Sequence, residues 1–356
     1  MSDVLSSIKP AVRSLRGYTL APHHASLKVN QNENPWDAPA RIKEEVLRRF
    51  TERKWSRYPE FVPTELHERL AAFAGWKSDG VLAGNGSNEL IQASLMVTMA
   101  PGKRVLISEP TFLLYEQIAT VLGGEVERVP LTTDLQYDIE ALLKTIEARQ
   151  PDVTIICSPN NPTGCVIDDD ALRALLKASR GLVIVDEAYH EFSEHAVVPL
   201  LHQHENLIVL RTFSKAMAYA ALRLGYLLAS PELTREIHKA VLPYSVNLFA
   251  QIAAEVAMEY YDDELRTLVT QIIAERERLF TELSRVEGLT PVSSQGNFMV
   301  VKSATDPRRI FTELLEHDIL VRDVSGYPML RDYFRFSFGT PEENDQILKA
   351  IREICG

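Results

Sequence analysis

The sequence predicts an α/β fold built on a mostly parallel sheet, and three features carry that expectation. Short apolar runs alternate with helical stretches between Val105 and Leu210. The runs show no polar alternation, as when helices cover both faces of a sheet. Polar and small residues gather directly after several runs, at the carboxyl ends of strands, where α/β sheets hold ligands.

At 356 residues the chain is long enough for one large and one smaller domain. A hydrophobic content of 46% with 24% charged residues is that of a globular chain. The formal net charge of −11 argues against general affinity for nucleic acid or anionic membranes, so an anionic substrate would need arginines focused in a cleft. Cys157, Cys165 and Cys355 lack paired metal-ligand spacing, and Cys157, inside an apolar run, reads as a buried thiol. His23 and His24 have no ligand neighbours, so no metal is expected. No segment reaches the roughly 18 apolar residues of a membrane span, and the N-terminus lacks an apolar signal core. The expectation is a cytoplasmic protein without a membrane segment.

Residues 1–30, with Pro10, Gly17 and Pro22, read as an arm laid over something larger. Asn32 to Pro35 is a loop, Ala40 to Phe50 a short amphipathic helix, and Arg57-Tyr58-Pro59 follows. Ala83-Gly84-Asn85-Gly86-Ser87-Asn88 opens a helix running to about Met99, with Ser87 as its cap. Glycines let a backbone approach closely, and the free amides and positive dipole of the helix make a phosphate site. Strands are expected at Val105–Ser108, Glu125–Val129, Val153–Cys157, Leu182–Asp186 and Leu207–Leu210. Helices are expected at Thr111–Leu122, Asp138–Ala148 and Asp168–Ser179. Beyond Leu224–Ala229, Pro231–Leu242 and Asn247 to about Arg285 read as helices, the second long and charged on one side. Residues 291–356 alternate strand-like pieces (Asn297–Val301, Tyr333–Phe338) with helices (Pro307–His317, Glu343–Ile354). The division is an arm (1–30), a large domain (46–245), and a smaller α+β domain made of 31–45 and 246–356.

Three strand ends hold the chemistry. The run ending at Leu210 stops at Arg211 and Thr212, and Ser214 and Lys215 follow, with Arg223 eight positions beyond the lysine. A lysine placed there can form a Schiff base with an aldehyde cofactor, while a hydroxyl and a guanidinium bind its phosphate. Val183-Ile184-Val185-Asp186-Glu187-Ala188-Tyr189 puts a carboxylate at a second strand end. Ser158-Pro159-Asn160-Asn161-Pro162-Thr163-Gly164 closes a third.

The ordered set Asn161-Pro162-Thr163-Gly164, Asp186-Glu187-Ala188-Tyr189, Ser214-Lys215 and Leu222-Arg223-Leu224-Gly225 resembles the fold-type I aminotransferases, which use pyridoxal phosphate. The likeness runs from Asn32-Glu33-Asn34-Pro35 to Arg335 and Gly339-Thr340-Pro341. Within that superfamily the chain most resembles the histidinol-phosphate aminotransferases. The resemblance implies a fold of a large domain with a mostly parallel, helix-flanked sheet and a smaller α+β domain. It assigns Lys215 to the cofactor aldehyde and to proton transfer at the substrate α-carbon. Asp186 goes to the pyridine nitrogen, and Tyr189 and Asn161 to the ring oxygen. Phe112 stands where the family often has a stacking tyrosine, so the stack is kept and the hydroxyl is lost. Ser87, Asn88, Thr212, Ser214 and Arg223 would hold the cofactor phosphate. Tyr58 matches a residue that reaches it from a second subunit, which implies a homodimer.

Arg335, in the run Tyr333–Phe338, would bind the carboxylate of glutamate in one half-reaction and the phosphate of histidinol phosphate in the other. Arg322 would be a second phosphate ligand, or else a surface partner of Asp323. Tyr18 and Asn32 are candidates for lining the imidazole end. The implied reaction exchanges histidinol phosphate and 2-oxoglutarate for imidazole acetol phosphate and glutamate, a step of histidine biosynthesis. Transamination of aromatic amino acids and decarboxylation of threonine phosphate remain as alternatives within the fold.

Overall fold

The computed structural model describes residues 4–15, 17, 23–193 and 195–355. They form thirteen strands in chain order. These are β1 (Leu27–Lys28), β2 (Val81–Gly84), β3 (Arg104–Glu109), β4 (Glu125–Pro130), β5 (Val153–Cys157), β6 (Leu182–Asp186) and β7 (Leu207–Thr212). Then come β8 (Gly225–Leu228), β9 (Leu289–Pro291), β10 (Phe298–Ser303), β11 (Ile319–Leu320), β12 (Arg322–Asp323) and β13 (Tyr333–Ser337).

Seven of them make one sheet in the order β2-β8-β7-β6-β5-β3-β4. Only β8 runs against the rest, pairing antiparallel with both β2 and β7. Alternate residues of one strand enter different cores. Val183 and Val185 of β6 join one apolar cluster, and Ile184 joins another on the opposite face. That arrangement is why the strands read as unbroken apolar runs. The helices are capped as their flanking residues predict: Asp138, Asp168, Ser230 and Asn247 each accept an amide of the first turn.

The remaining strands form a four-stranded antiparallel sheet, β12-β13-β10-β9, and a parallel pair, β1-β11. A third apolar cluster fills this part, built on Phe298, Phe334, Phe336, Leu279 and Ile347. Ala188, Tyr189 and Ala216, from the loops after β6 and β7, enter the same cluster, so the large sheet's carboxyl edge abuts the second core.

Four local expectations change. Strand β7 continues through Arg211 and Thr212, because the Arg211 charge is met inside the protein by Glu187 at 2.8 Å. The helix expected over 247–285 is three segments: Leu248–Glu259, a wider π turn at Tyr261–Leu265, and Arg266–Leu283. Two consecutive rings are packed at the break, Tyr260 under Arg41 at 4.6 Å and Tyr261 edge-on to Phe73 at 5.2 Å, which the wider turn accommodates. The helix from Pro231 ends at His238, and Leu242 beyond it is exposed. Ser87 is not a cap. Gly86 takes that position and no side chain closes the helix start. Among the described residues no helix is long and apolar enough to cross a membrane, and no group of three His, Cys, Asp or Glu could hold a metal.

Candidate active site

The strand order brings the carboxyl ends of β2, β3, β5, β6 and β7 to one edge of the large sheet, and a cavity of about 470 Å³ opens there. Its lining includes Lys215, Asp186, Tyr189, Asn161, Phe112 and Arg335. Ser87, Asn88, Thr212, Ser214, Arg223, Arg322 and Asn32 complete the sequence-predicted residues found in it.

Asp186, the last residue of β6, is 3% exposed. Its Oδ1 accepts the Ala188 amide at 3.1 Å and its Oδ2 the Tyr115 hydroxyl at 2.6 Å. Burial raises the carboxyl to about 6 against the pull of these bonds. A carboxylate held this way gains by meeting a protonated ring nitrogen. The Lys215 amine donates to the Gln31 carbonyl at 3.0 Å. Its burial in the cavity floor lowers it to about 8, and Arg335 adds like-charge repulsion. The neutral fraction near neutrality is therefore far larger than an ordinary lysine has, as a nucleophile or base requires.

One corner of the cavity is a cradle for an anion. Ser87 and Asn88 open the helix Ser87–Met96, and at this end of a helix the first amides have no carbonyl a full turn back. Gly86, at φ 79°, leaves room for the Arg223 guanidinium, which a Cβ would strike. A Cβ on Gly225 would strike the Ser87 amide and the Gly86 carbonyl carbon, so the strand and the helix start meet only across bare backbone. Arg223, itself left-handed at φ 56°, donates to Ser214 Oγ at 3.1 Å, and Thr212 Oγ1 bonds the same oxygen at 3.0 Å.

The other wall carries a second pair of cations. Arg335, 6% exposed, donates to Asn161 Oδ1 at 2.5 Å and to the Asn30 carbonyl at 2.8 Å. Arg322 of β12 is its direct register partner across β12-β13, so both side chains stand on one face. The pairing with Asp323 weighed from sequence does not form: Asp323 accepts the Ser325 amide, and Arg322 has no hydrogen bond or ion pair among the described residues. Like charges placed opposite each other cost stability unless an anion joins them. Asn32, 1% exposed, donates to Tyr189 Oη at 3.0 Å. Burial raises the Tyr189 hydroxyl, so it stays protonated and available as a donor.

Two predicted residues lie elsewhere. Tyr58 is 81% exposed, stacked on Tyr244, and does not line this cavity. Tyr18 falls outside the described residues. Sequence reading missed Tyr115 and Tyr327, both in the lining. Tyr115 stands three positions after Phe112 on a helical run, a spacing that signals a shared face but reads as core.

This donor set fits pyridoxal phosphate: an amine for an aldehyde, a buried carboxylate for a ring nitrogen, and a helix start with hydroxyls and a guanidinium for a phosphate. Comparisons with known proteins agree. Residues 25–351 match the family model for aminotransferases of class I and II. The chain is 39% identical to the histidinol-phosphate aminotransferase of Chlorobium phaeobacteroides over 356 residues, covering 99% of this chain and 98% of that one. It is 37% identical to the same enzyme of Chlorobium limicola, covering 99% of each. Its fold matches the crystal structure of the Sinorhizobium meliloti histidinol-phosphate aminotransferase, solved with pyridoxal 5′-phosphate. The TM-score is 0.88 at 23% identity over 99% of this chain and 98% of that one. The chain belongs to the class I and II aminotransferase family, whose members work with pyridoxal phosphate.

Proposed function

We propose that the chain transfers the amino group of histidinol phosphate to 2-oxoglutarate, yielding imidazole acetol phosphate and glutamate, as a cytoplasmic homodimer. The full-length likeness to enzymes of that name supports the reading. The observation that carries it is the Arg322–Arg335 pair facing the cavity that holds Lys215 and Asp186. In a chain of net charge −11 such a focused pair is what a phosphate monoester needs.

Ser87, Asn88, Thr212, Ser214 and Arg223 would hold the cofactor phosphate, Phe112 would pack on the ring, and Asp186 would keep the ring nitrogen protonated. When bound, pyridoxal phosphate supplies the electron-accepting ring that makes a substrate α-proton removable. Lys215 Nζ takes that proton and later returns one; a positioned base of this kind contributes about 10²–10⁴-fold. Tyr189 and Asn161 would donate to the ring oxygen. Arg335 binds the carboxylate of glutamate or the phosphate of histidinol phosphate, and Arg322 joins it for the dianion. Tyr58 serves the site of a second copy, which fits its exposure here. In this reading the seven-stranded sheet belongs to the large domain (46–245) and the four-stranded sheet to the small one (31–45 and 246–356).

The test is a panel of amino compounds offered with 2-oxoglutarate, scored for glutamate and for CO₂. Glutamate formed fastest from histidinol phosphate is expected. Preference for phenylalanine would put aromatic transamination in its place, and CO₂ from threonine phosphate would put decarboxylation there.

A further inference from the structure

Tyr115 is fully withdrawn from solvent at 1% exposure, yet it holds a hydroxyl beside the least accessible charge of the cavity. Its single hydrogen is committed. An ionised carboxylate only accepts, so the 2.6 Å bond to Asp186 Oδ2 runs from the phenol to the acid. Burial keeps the phenol far above its ordinary range, so it does not lose that hydrogen. The neighbouring thiol of Cys157 is pushed up by burial too and donates to the Pro159 carbonyl at 3.4 Å, so it does not compete as an anion. With Ala188 on Oδ1, each carboxylate oxygen has one fixed donor and one lone pair left, and rotation of the group would break both bonds. The same ring meets Phe112 edge-on, with centroids 5.5 Å apart and planes at 87°. One side chain therefore touches both the acid and the aromatic wall.

We propose that Tyr115 is a positioning residue: its hydroxyl fixes the Asp186 carboxylate in the orientation and charge state that hold a protonated ring nitrogen. This rests on the reading that the cavity takes pyridoxal phosphate with Asp186 at that nitrogen. A merely structural tyrosine would matter equally to any cofactor of the same shape. A positioning tyrosine matters only when there is a ring nitrogen to hold.

The experiment compares dissociation constants of the cofactor-free protein for pyridoxal phosphate and for its deaza analogue, in which carbon replaces the ring nitrogen. Wild type should prefer pyridoxal phosphate. Tyr115→Phe keeps the ring and removes one oxygen. It should weaken pyridoxal phosphate by about ten- to a hundredfold, the effect of one charge-assisted bond, and leave the analogue unchanged. Equal weakening of both ligands, or of neither, overturns the proposal. As a variant that retains the hydroxyl and the fold, 3-fluorotyrosine at position 115 should keep the wild-type preference; its loss there would also overturn it. If wild type binds the two ligands equally, Asp186 does not hold the nitrogen, and the parent reading fails with the inference.

Discussion

Replacing Asp186 with asparagine should make the cofactor-free protein more stable at neutral pH while removing its turnover. The carboxyl is 3% exposed, and burial raises it from an ordinary 3.8 to about 6 in spite of the Tyr115 and Ala188 bonds. A carboxyl raised in the folded state carries a proton there that the unfolded chain has lost. Stability therefore falls as pH climbs from about 4 to about 6 and stays lower above that window. At about 1.4 kcal/mol per pH unit, the rise corresponds to about 3 kcal/mol held against folding at neutrality. With an unfolding entropy of about 2.1 cal/mol/K per residue, that is about 4 °C in melting temperature for a chain of 356 residues. Asparagine is neutral at every pH, and its Oδ1 can accept the Ala188 amide while its Nδ2 donates to the Tyr115 oxygen. Melting curves of the two cofactor-free proteins should thus differ by about 4 °C near pH 7 and converge towards pH 4, where the wild-type carboxyl is protonated. A variant less stable than wild type at neutral pH, or a gap that does not change with pH, would refute the reasoning. Cofactor binding should reverse the order, because only the charged carboxylate gains from a protonated ring.

Arg335→Ala should raise KM for both histidinol phosphate and glutamate, because the proposed role gives one guanidinium to both anions. Arg322→Ala should raise KM for histidinol phosphate by about ten- to a hundredfold, the value of one charge-assisted contact, and leave glutamate nearly unaffected; equal losses on both would make Arg322 a general support. Tyr58→Phe should weaken cofactor retention, and mixing it with Lys215→Ala protein should restore part of the activity. In a shared-site dimer one mixed site carries both lesions and the other neither. No recovery would place Tyr58 within its own subunit.

The large sheet was legible because strands covered on both faces leave unbroken apolar runs, as Val183–Val185 and Leu207–Leu210 do. The cavity residues were legible for a related reason. Polar residues at or shortly beyond the end of such a run, as Asp186 and Lys215 are, stand at the sheet's carboxyl edge. What escaped depends on partners distant in sequence. Arg211 looks like the end of a strand until Glu187, 24 positions away, is seen to neutralise it inside the protein. Tyr115 looks like core until its hydroxyl is found on Asp186, 71 positions on. Residues 248–283 carry one continuous helical pattern, and the break at Tyr260 coincides with long-range packing, of Tyr260 on Arg41 and of Tyr261 on Phe73. The Ser87 cap was a local rule overridden by Gly86, whose bare backbone is needed where Arg223 approaches.

Reductive trapping tests whether the amine just beyond β7 is the attachment point of the cofactor. Protein loaded with pyridoxal phosphate should be yellow, lose its visible band on borohydride reduction, and yield a peptide carrying a pyridoxyl group on Lys215. A pyridoxyl group found on any other lysine, with Lys215 unmodified, would exclude Lys215 as the attachment point.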